Sequence, residues 1–414
     1  MIRATITSAV DQALLSALNF GLAVLLIHFA SKPEYGLYSQ LMNLQAFFSP
    51  FHAGIFASAY LALASKLEGE KHVMFRTAMA RAEVIMSVAS TLIVILICVI
   101  GARLFWATVT PSLCLAFGIA LLGLWWREFA RQMKFSTFSY DQVLNLDLAY
   151  ILVTTIAVAG VLATSSLTTT SAFWCVAVGG IVAAAPPLAA AARGVALEKS
   201  AIRDALSVSW KVARWDVLGS IVTWTYAQSY VYFAALHGGL DAAAEISAGR
   251  LLATPLSLMW ASYGNVLRPN ASRLLTSGLH SELRKLALRS ALFVVGSSLL
   301  YALTIFALIP TLNRSLFGGK FEQLVPLTLW WIVYVMLTGI STVASSVLRS
   351  ALEFRQVFQR QVVSGVAAVA LLTMGLKSPA IESLVIALIL VEAISAGLFW
   401  HRLNVAVSLH TKSA

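Results

Sequence analysis

The sequence predicts an all-α, polytopic membrane protein of about 12 transmembrane helices in two six-helix bundles, and three observations predict it. First, 59% of the 414 residues are hydrophobic and only 11% are charged, against about 25% charged in soluble domains. Second, apolar runs close to the ~20 residues that a bilayer crossing needs fill nearly the whole chain. Third, the +11 net charge sits in short connections between those runs. That placement belongs to membrane topology and argues against nucleic acid as a partner.

The runs fall near residues 8–30, 37–63, 83–105, 110–130, 144–163, 171–193, 215–236, 243–266, 287–310, 324–347, 361–376 and 380–401. Only Arg3 precedes the first run and no small-residue cleavage site follows it, so the run reads as a retained span. Cys98, Cys114 and Cys175 lie in or beside apolar runs without a CxxC pair. They are expected to pack, not to bind metal or form disulfides.

The basic residues orient the spans. With the amino terminus in the cytoplasm, only Lys32, Arg103, Arg250, Arg314, Lys320 and Lys377 of the 29 Lys and Arg fall on the far side. One miscounted early span would move every later loop across the membrane, so this bias supports 12 spans with both termini cytoplasmic. The largest basic connection, about 194–214, separates six spans from six. It predicts an amino-terminal bundle over 1–200 and a carboxy-terminal bundle over 201–414. Both halves start on the same side, as parallel repeats do. Ala64-Ser65-Lys66 and Ala271-Ser272-Arg273 are a short echo of such a repeat.

Polar groups in lipid are costly, so those within spans should face the bundle interior or a water-filled cavity. The first span carries Gln12, Ser16 and Asn19 at helical spacing, and the second carries Tyr38, Gln45, Ser49 and His52, with Pro50 among them. The seventh carries Asp216, Ser220, Thr223 and Tyr230, and the eighth Arg250, Thr254 and Ser257 around Pro255. The third span beyond Leu92 and the eleventh around Val363 to Leu372 are nearly featureless. The polar faces therefore hold equivalent places in the two halves, as a central pathway requires. The candidate cavity residues are Gln12, Asn19, Gln45, His52, Asp216, Tyr230 and Arg250, with Lys66 and Arg273 at the cytoplasmic mouth.

Each of these has a plainer reading. Asp11 and Asp216 suit the positive end of a helix dipole. His52 fits a hydrogen-bonded packing histidine as well as one that binds sugar or titrates. Arg250 either snorkels to the outer interface or meets an anion in the cavity. Glu392 reads as an interhelical packing residue, and Trp125, Trp126, Trp330, Trp331 and Trp400 as belt or packing residues. No GxSxG, HExxH or GxxxxGK[ST] pattern occurs, so neither a hydrolase nor an ATP-driven pump is expected. No metal or cofactor is expected; coupling to H+ or Na+ stays open.

Two segments carry a family resemblance. Asp11-Gln12 through Asn19-Phe20-Gly21, followed by Pro33-Glu34-Tyr35-Gly36-Leu37-Tyr38, resembles the opening of bacterial oligosaccharide flippases of the polysaccharide transporter group. Leu18 stands where that pattern has Ser. Trp126-Arg127-Glu128-Phe129-Ala130-Arg131, with Leu146-Asp147 and Tyr150 beyond, resembles the arginine-rich end of that group's fourth helix and the Asp-containing start of its fifth. The resemblance implies the superfamily of multidrug MATE exporters and lipid II flippases (the MOP superfamily), whose two six-helix bundles rock about a cavity lined by helices one, two, seven and eight. Tyr226-Ala227-Gln228-Ser229-Tyr230 lacks the acid of the group's Gln-x-Asp pattern, which leaves the ion-coupling site open.

The resemblance implies a flippase for an undecaprenyl-pyrophosphate-linked oligosaccharide in the bacterial inner membrane. Its partners would be that lipid-linked glycan, membrane lipids and a polysaccharide polymerase or other assembly proteins. Two alternatives stand beside it: a multidrug or small-cation exporter of the same fold, which predicts a cavity of acids and aromatics, and a membrane glycan polymerase or acyltransferase, which predicts a large outer loop or a catalytic cluster.

Overall fold

The computed structural model describes residues 2–64, 67–105, 109–137, 139–196, 198–351 and 353–412. Some side chains within helices, including that of Asp216, lie outside the described set, as does Lys66. Among the described residues the chain is helical throughout: α1 (Ile2–Phe29), α2 (Lys32–His52), a π-helical segment (Ala53–Ser58), α3 (Ala59–Ala64), α4 (Gly69–Phe105), α5 (Pro111–Phe135), α6 (Tyr140–Thr164), α7 (Thr169–Ala192), α8 (Lys199–Ala227), α9 (Tyr230–Thr276), α10 (His280–Ser315), α11 (Leu324–Ser350), α12 (Phe354–Gly375) and α13 (Glu382–Lys412). Nine of the described helices are long and apolar enough to cross a bilayer. The protein is a multi-pass membrane protein.

Local chemistry sets the helix ends. Ser31 and Thr110 accept hydrogen bonds from the third helical N–H of α2 and α5, and Pro33 and Pro111 occupy the first turn, where their missing N–H costs nothing. At α7, Thr168 and Ser171 form a reciprocal capping box. Glu34 joins this start from α2: its Oε2 accepts from Thr169 N at 2.7 Å, and its carbonyl accepts from Thr169 Oγ1 at 2.7 Å. An acid at a helix N-terminus meets the positive end of the dipole. At the other end of α7, Arg81 donates to the carbonyls of Ala192 and Val195 at 2.8 and 2.7 Å, which no helical N–H satisfies.

Two helices depart from the simple span pattern. Pro50 removes a backbone donor near the end of α2, and the backbone passes into the π-helical segment directly after His52. In α9 the helix is interrupted at Gly238 and Gly239, the latter at φ 71°, a left-handed conformation that favours glycine.

The chain divides into two compact units, Met1–Ser220 and Ile221–Ala414. The boundary falls inside α8, about three quarters of the way along it, where the basic connection suggested 200/201. The part of α8 before the boundary packs in the amino-terminal unit: Ser209 Oγ donates to Met79 Sδ, and Val217 and Ala213 lie against Gly54. In the amino-terminal unit α5 packs most extensively on α7, at a crossing where Gly123 and Gly180 bring the two backbones together. In the carboxy-terminal unit α11 packs on α9 and α13. Cys98, Cys114 and Cys175 are buried and unpaired.

Candidate functional site

The amino-terminal unit contains two polar cavities inside an otherwise apolar bundle. The smaller, about 110 Å³, has Asn19, Tyr38, Gln45, Arg127 and Tyr150 in its wall. The larger, about 240 Å³, has Gln45, Ser49, His52, Glu83, Arg127 and Glu128. Gln45, Leu124 and Arg127 belong to both walls. A larger groove of about 510 Å³ is walled mostly by apolar side chains such as Met74, Phe75, Ala205 and Val208, with Lys71 and Asp204 also lining it.

Five charged side chains sit beside the cavities. Arg127 and Arg131 lie one helical turn apart on α5, so both reach the same neighbours on α6. Arg127 Nη1 donates to Asp147 Oδ1 at 2.8 Å, and its guanidinium lies 4.3 Å from the Tyr150 ring centroid. Arg131 gathers three carboxylates: Asp11 on α1 at 2.9 Å, Glu128 at 3.0 Å and Asp147 at 2.7 Å. Asp147 has 0% exposure. Buried charges survive only when paired, and here three acids face two arginines. Among the described residues the Nε of Arg127 has no partner, which makes it a spare donor on a residue shared by both cavity walls.

A second polar pair lies in the larger cavity. His52 Nδ1 is 3.4 Å from Glu83 Oε2, and the imidazole stacks on Trp125 with ring centroids 3.9 Å apart and planes at 12°. Trp126, the next residue, turns to α4 and donates from its indole N–H to Ser87 at 2.8 Å.

The carboxy-terminal unit holds Arg250 in an aromatic box. Its Nη1 donates to the Ala227 carbonyl at 3.1 Å and to Gln228 Oε1 at 2.9 Å. The guanidinium lies 4.8 Å from the Tyr230 ring and 5.1 Å from the Trp331 ring. Arg250 therefore caps the last carbonyl of α8 and the side chain that follows it instead of snorkelling outward.

The predicted residues distribute as follows. Asn19 and Gln45 share the smaller cavity, Gln45 and His52 the larger. Gln12 has an exposed side chain and is in neither wall. Tyr230 and Arg250 meet each other in the carboxy-terminal unit. Arg273 is exposed near the end of α9, and Lys66 and the Asp216 side chain fall outside the described residues. The helix-dipole reading of Asp11 is corrected: it lies well past the first turn of α1 and pairs with Arg131. Arg127 and Arg131, expected at the arginine-rich end of the fourth helix, are in α5, which continues past the expected span end at 130 to Phe135. Trp125 and Trp331 are buried partners of His52 and Arg250.

The sequence reading did not single out Glu83 or assign Arg127 to a cavity. The available signals were an acid opening a run of apolar residues, and Arg127, Glu128 and Arg131 spaced on one helical face. Among the described residues, no three His, Cys, Asp or Glu side chains are grouped as metal ligands.

Residues 281–414 match the family model described as "Polysaccharide biosynthesis protein". No curated protein matches the chain by sequence. An inward-facing multidrug resistance MATE family transporter of the MOP superfamily superposes with a TM-score of 0.80 at 9% identity, covering 99% of both chains. The lipid II flippase MurJ, in an inward closed conformation, superposes with a TM-score of 0.75 at 12% identity, covering 98% of this chain and 88% of MurJ. A MOP superfamily transporter from Pyrococcus furiosus gives 0.67 at 10% identity, covering 99% and 96%. The chain has the MOP transporter fold.

Proposed function

We propose that this protein is a flippase that carries a lipid-linked oligosaccharide, with a pyrophosphate between lipid and sugar, across the bacterial inner membrane by alternating access of its two halves. The observation that carries the reading is the combination of a polysaccharide-biosynthesis match over 281–414 with a fold shared by transporters that include a lipid II flippase. The site chemistry is compatible with it. Asn19 and Gln45 offer amide donors and acceptors to sugar hydroxyls, and Arg127 offers its spare Nε–H to a phosphate oxygen. In the carboxy-terminal half, Arg250 uses Nη1 for both of its described hydrogen bonds, so a substrate anion would take its other nitrogens. Tyr230 beside it supplies a ring face. Lys66 and Arg273 would draw the anion to the cytoplasmic mouth. In this reading both termini are cytoplasmic, an ion gradient drives the cycle, and a polymerase consumes the delivered glycan.

A strain lacking the protein should lose the surface glycan and accumulate the lipid-linked precursor on the cytoplasmic side. An Arg127→Gln, Asp147→Asn double variant removes the donor without leaving a buried unpaired charge. At equal protein level it should lower export roughly ten- to a hundred-fold, the loss expected for one charge-assisted hydrogen bond. Unchanged surface glycan together with new drug sensitivity in the deletion strain would instead identify a drug exporter of the same fold.

A further inference from the structure

His52 and Glu83 are not needed by the contacts assigned above, yet they are the most enclosed titratable pair in the amino-terminal cavities. Glu83 is on α4 with 0% exposure and His52 on α2 with 8%. Glu83 Oε2 meets the ring nitrogen at 3.4 Å, while its Oε1 is buried with no partner among the described residues. The side chain lines the 240 Å³ cavity, so the unpartnered oxygen belongs to a carboxyl with room for a ligand beside it. The imidazole lies flat on Trp125 and 5.8 Å from the Phe56 ring. Directly after His52 the backbone enters the π-helical segment, a feature frequent at functional sites.

Among the described residues lining the cavity, α2 contributes His52, α4 contributes Glu83, and α5 contributes Arg127 and Glu128. Arg127 is bonded to Asp147 and Glu128 to Arg131, so those two α5 charges are already held by partners. His52 and Glu83 are the lining charges whose only described ionic partner is each other. A proton added to either atom of the pair raises the charge of the cavity by one unit while Arg127 and Glu128 keep theirs.

We propose that His52 and Glu83 form a proton-binding site, and that a proton there and an anionic ligand at Arg127 bind cooperatively. The second part follows from linkage. Protonation makes the shared wall more positive, which favours an anion at Arg127, and by reciprocity the bound anion favours the proton to the same degree. The low effective dielectric of a buried site keeps that interaction from being screened away. The choice of anion rests on the flippase reading; the proton site does not.

The test uses purified full-length protein with inorganic sulfate as the anion probe, because sulfate keeps its charge across the pH range used. Without ligand, tryptophan fluorescence followed in a pH titration should show a step. Trp125→Phe and His52→Gln should each remove it, and Glu83→Gln should shift it. Calorimetry of wild-type protein in buffers of different ionisation heat should then show net proton uptake on binding sulfate. The affinity should rise by up to about tenfold per pH unit as pH falls through that step. A step that persists in His52→Gln overturns the proton site. Sulfate that fails to bind, binds equally at all pH, or releases protons overturns the cooperativity. Neither readout involves a glycan, so failure of the flippase assignment would leave both results interpretable.

Discussion

Asp147 shows how one buried residue organises the amino-terminal unit. It touches Arg127 and Arg131, and Arg131 carries the network on to Asp11 of α1. Removing one member of a buried ion pair leaves an uncompensated charge and costs about 3–5 kcal/mol. Asp147→Ala should therefore lower stability by that amount in denaturant unfolding of the detergent-solubilised protein. Asp11→Asn should cost less, since Arg131 keeps Glu128 and Asp147. Arg250→Ala removes two hydrogen bonds from a charged donor and two cation–π contacts, and should cost on the order of 2–4 kcal/mol by the same measurement. These roles were only partly legible in the sequence. Arg127 and Arg131 stand out as the arginine-rich end of the fourth helix, but that motif does not say that Arg131 meets Asp11 of α1. Asp11 looked like a dipole partner because helix α1 begins several residues before the apolar run that marks it. Partners more than a hundred residues apart leave no local pattern.

At the scale of the element, the π-helical segment and the α5–α7 crossing are the two features that composition does not announce. Pro50 signalled a weak point in the second span, but only the structure shows that the helix rewinds as a π-helix after His52. The crossing depends on glycine for a definite reason: a Cβ on Gly180 would sit 2.8 Å from the Gly123 carbonyl carbon. That neighbour is backbone and has no rotamer to yield. Gly180→Val should thus cost more than the ~1–3 kcal/mol of ordinary overpacking and sharply reduce the yield of folded protein. Gly21→Ala, where nothing lies within 4 Å of the added carbon, should fold normally and serves as the control. Span positions were the most legible part of the fold, because bilayer thickness imposes an apolar run of known length. Helix ends were less so: α4 extends over 37 residues and α10 over 36, well past the hydrophobic core, on charged and polar turns that hydropathy cannot assign.

At the scale of the whole molecule, charge bias and apolar runs predicted a many-span helical protein, and the structure has the fold of MOP transporters over essentially its full length. Composition carried that much because a membrane constrains every turn of the chain. It carried the substrate no further, since the cavities are built by a few polar residues whose meeting depends on helix rotation. Asn19, Gln45 and His52 were legible as polar faces; Glu83 was overlooked at the head of an apolar run. The central claim is that this fold moves a pyrophosphate-linked oligosaccharide lipid between leaflets. The most direct measurement reconstitutes the purified protein in liposomes bearing a short-chain fluorescent lipid-pyrophosphate-oligosaccharide on one leaflet and follows its exposure on the other. The account predicts protein-dependent translocation that the Arg127→Gln, Asp147→Asn variant slows. Translocation no faster than in protein-free liposomes, under an imposed proton or sodium gradient of either direction, would contradict it.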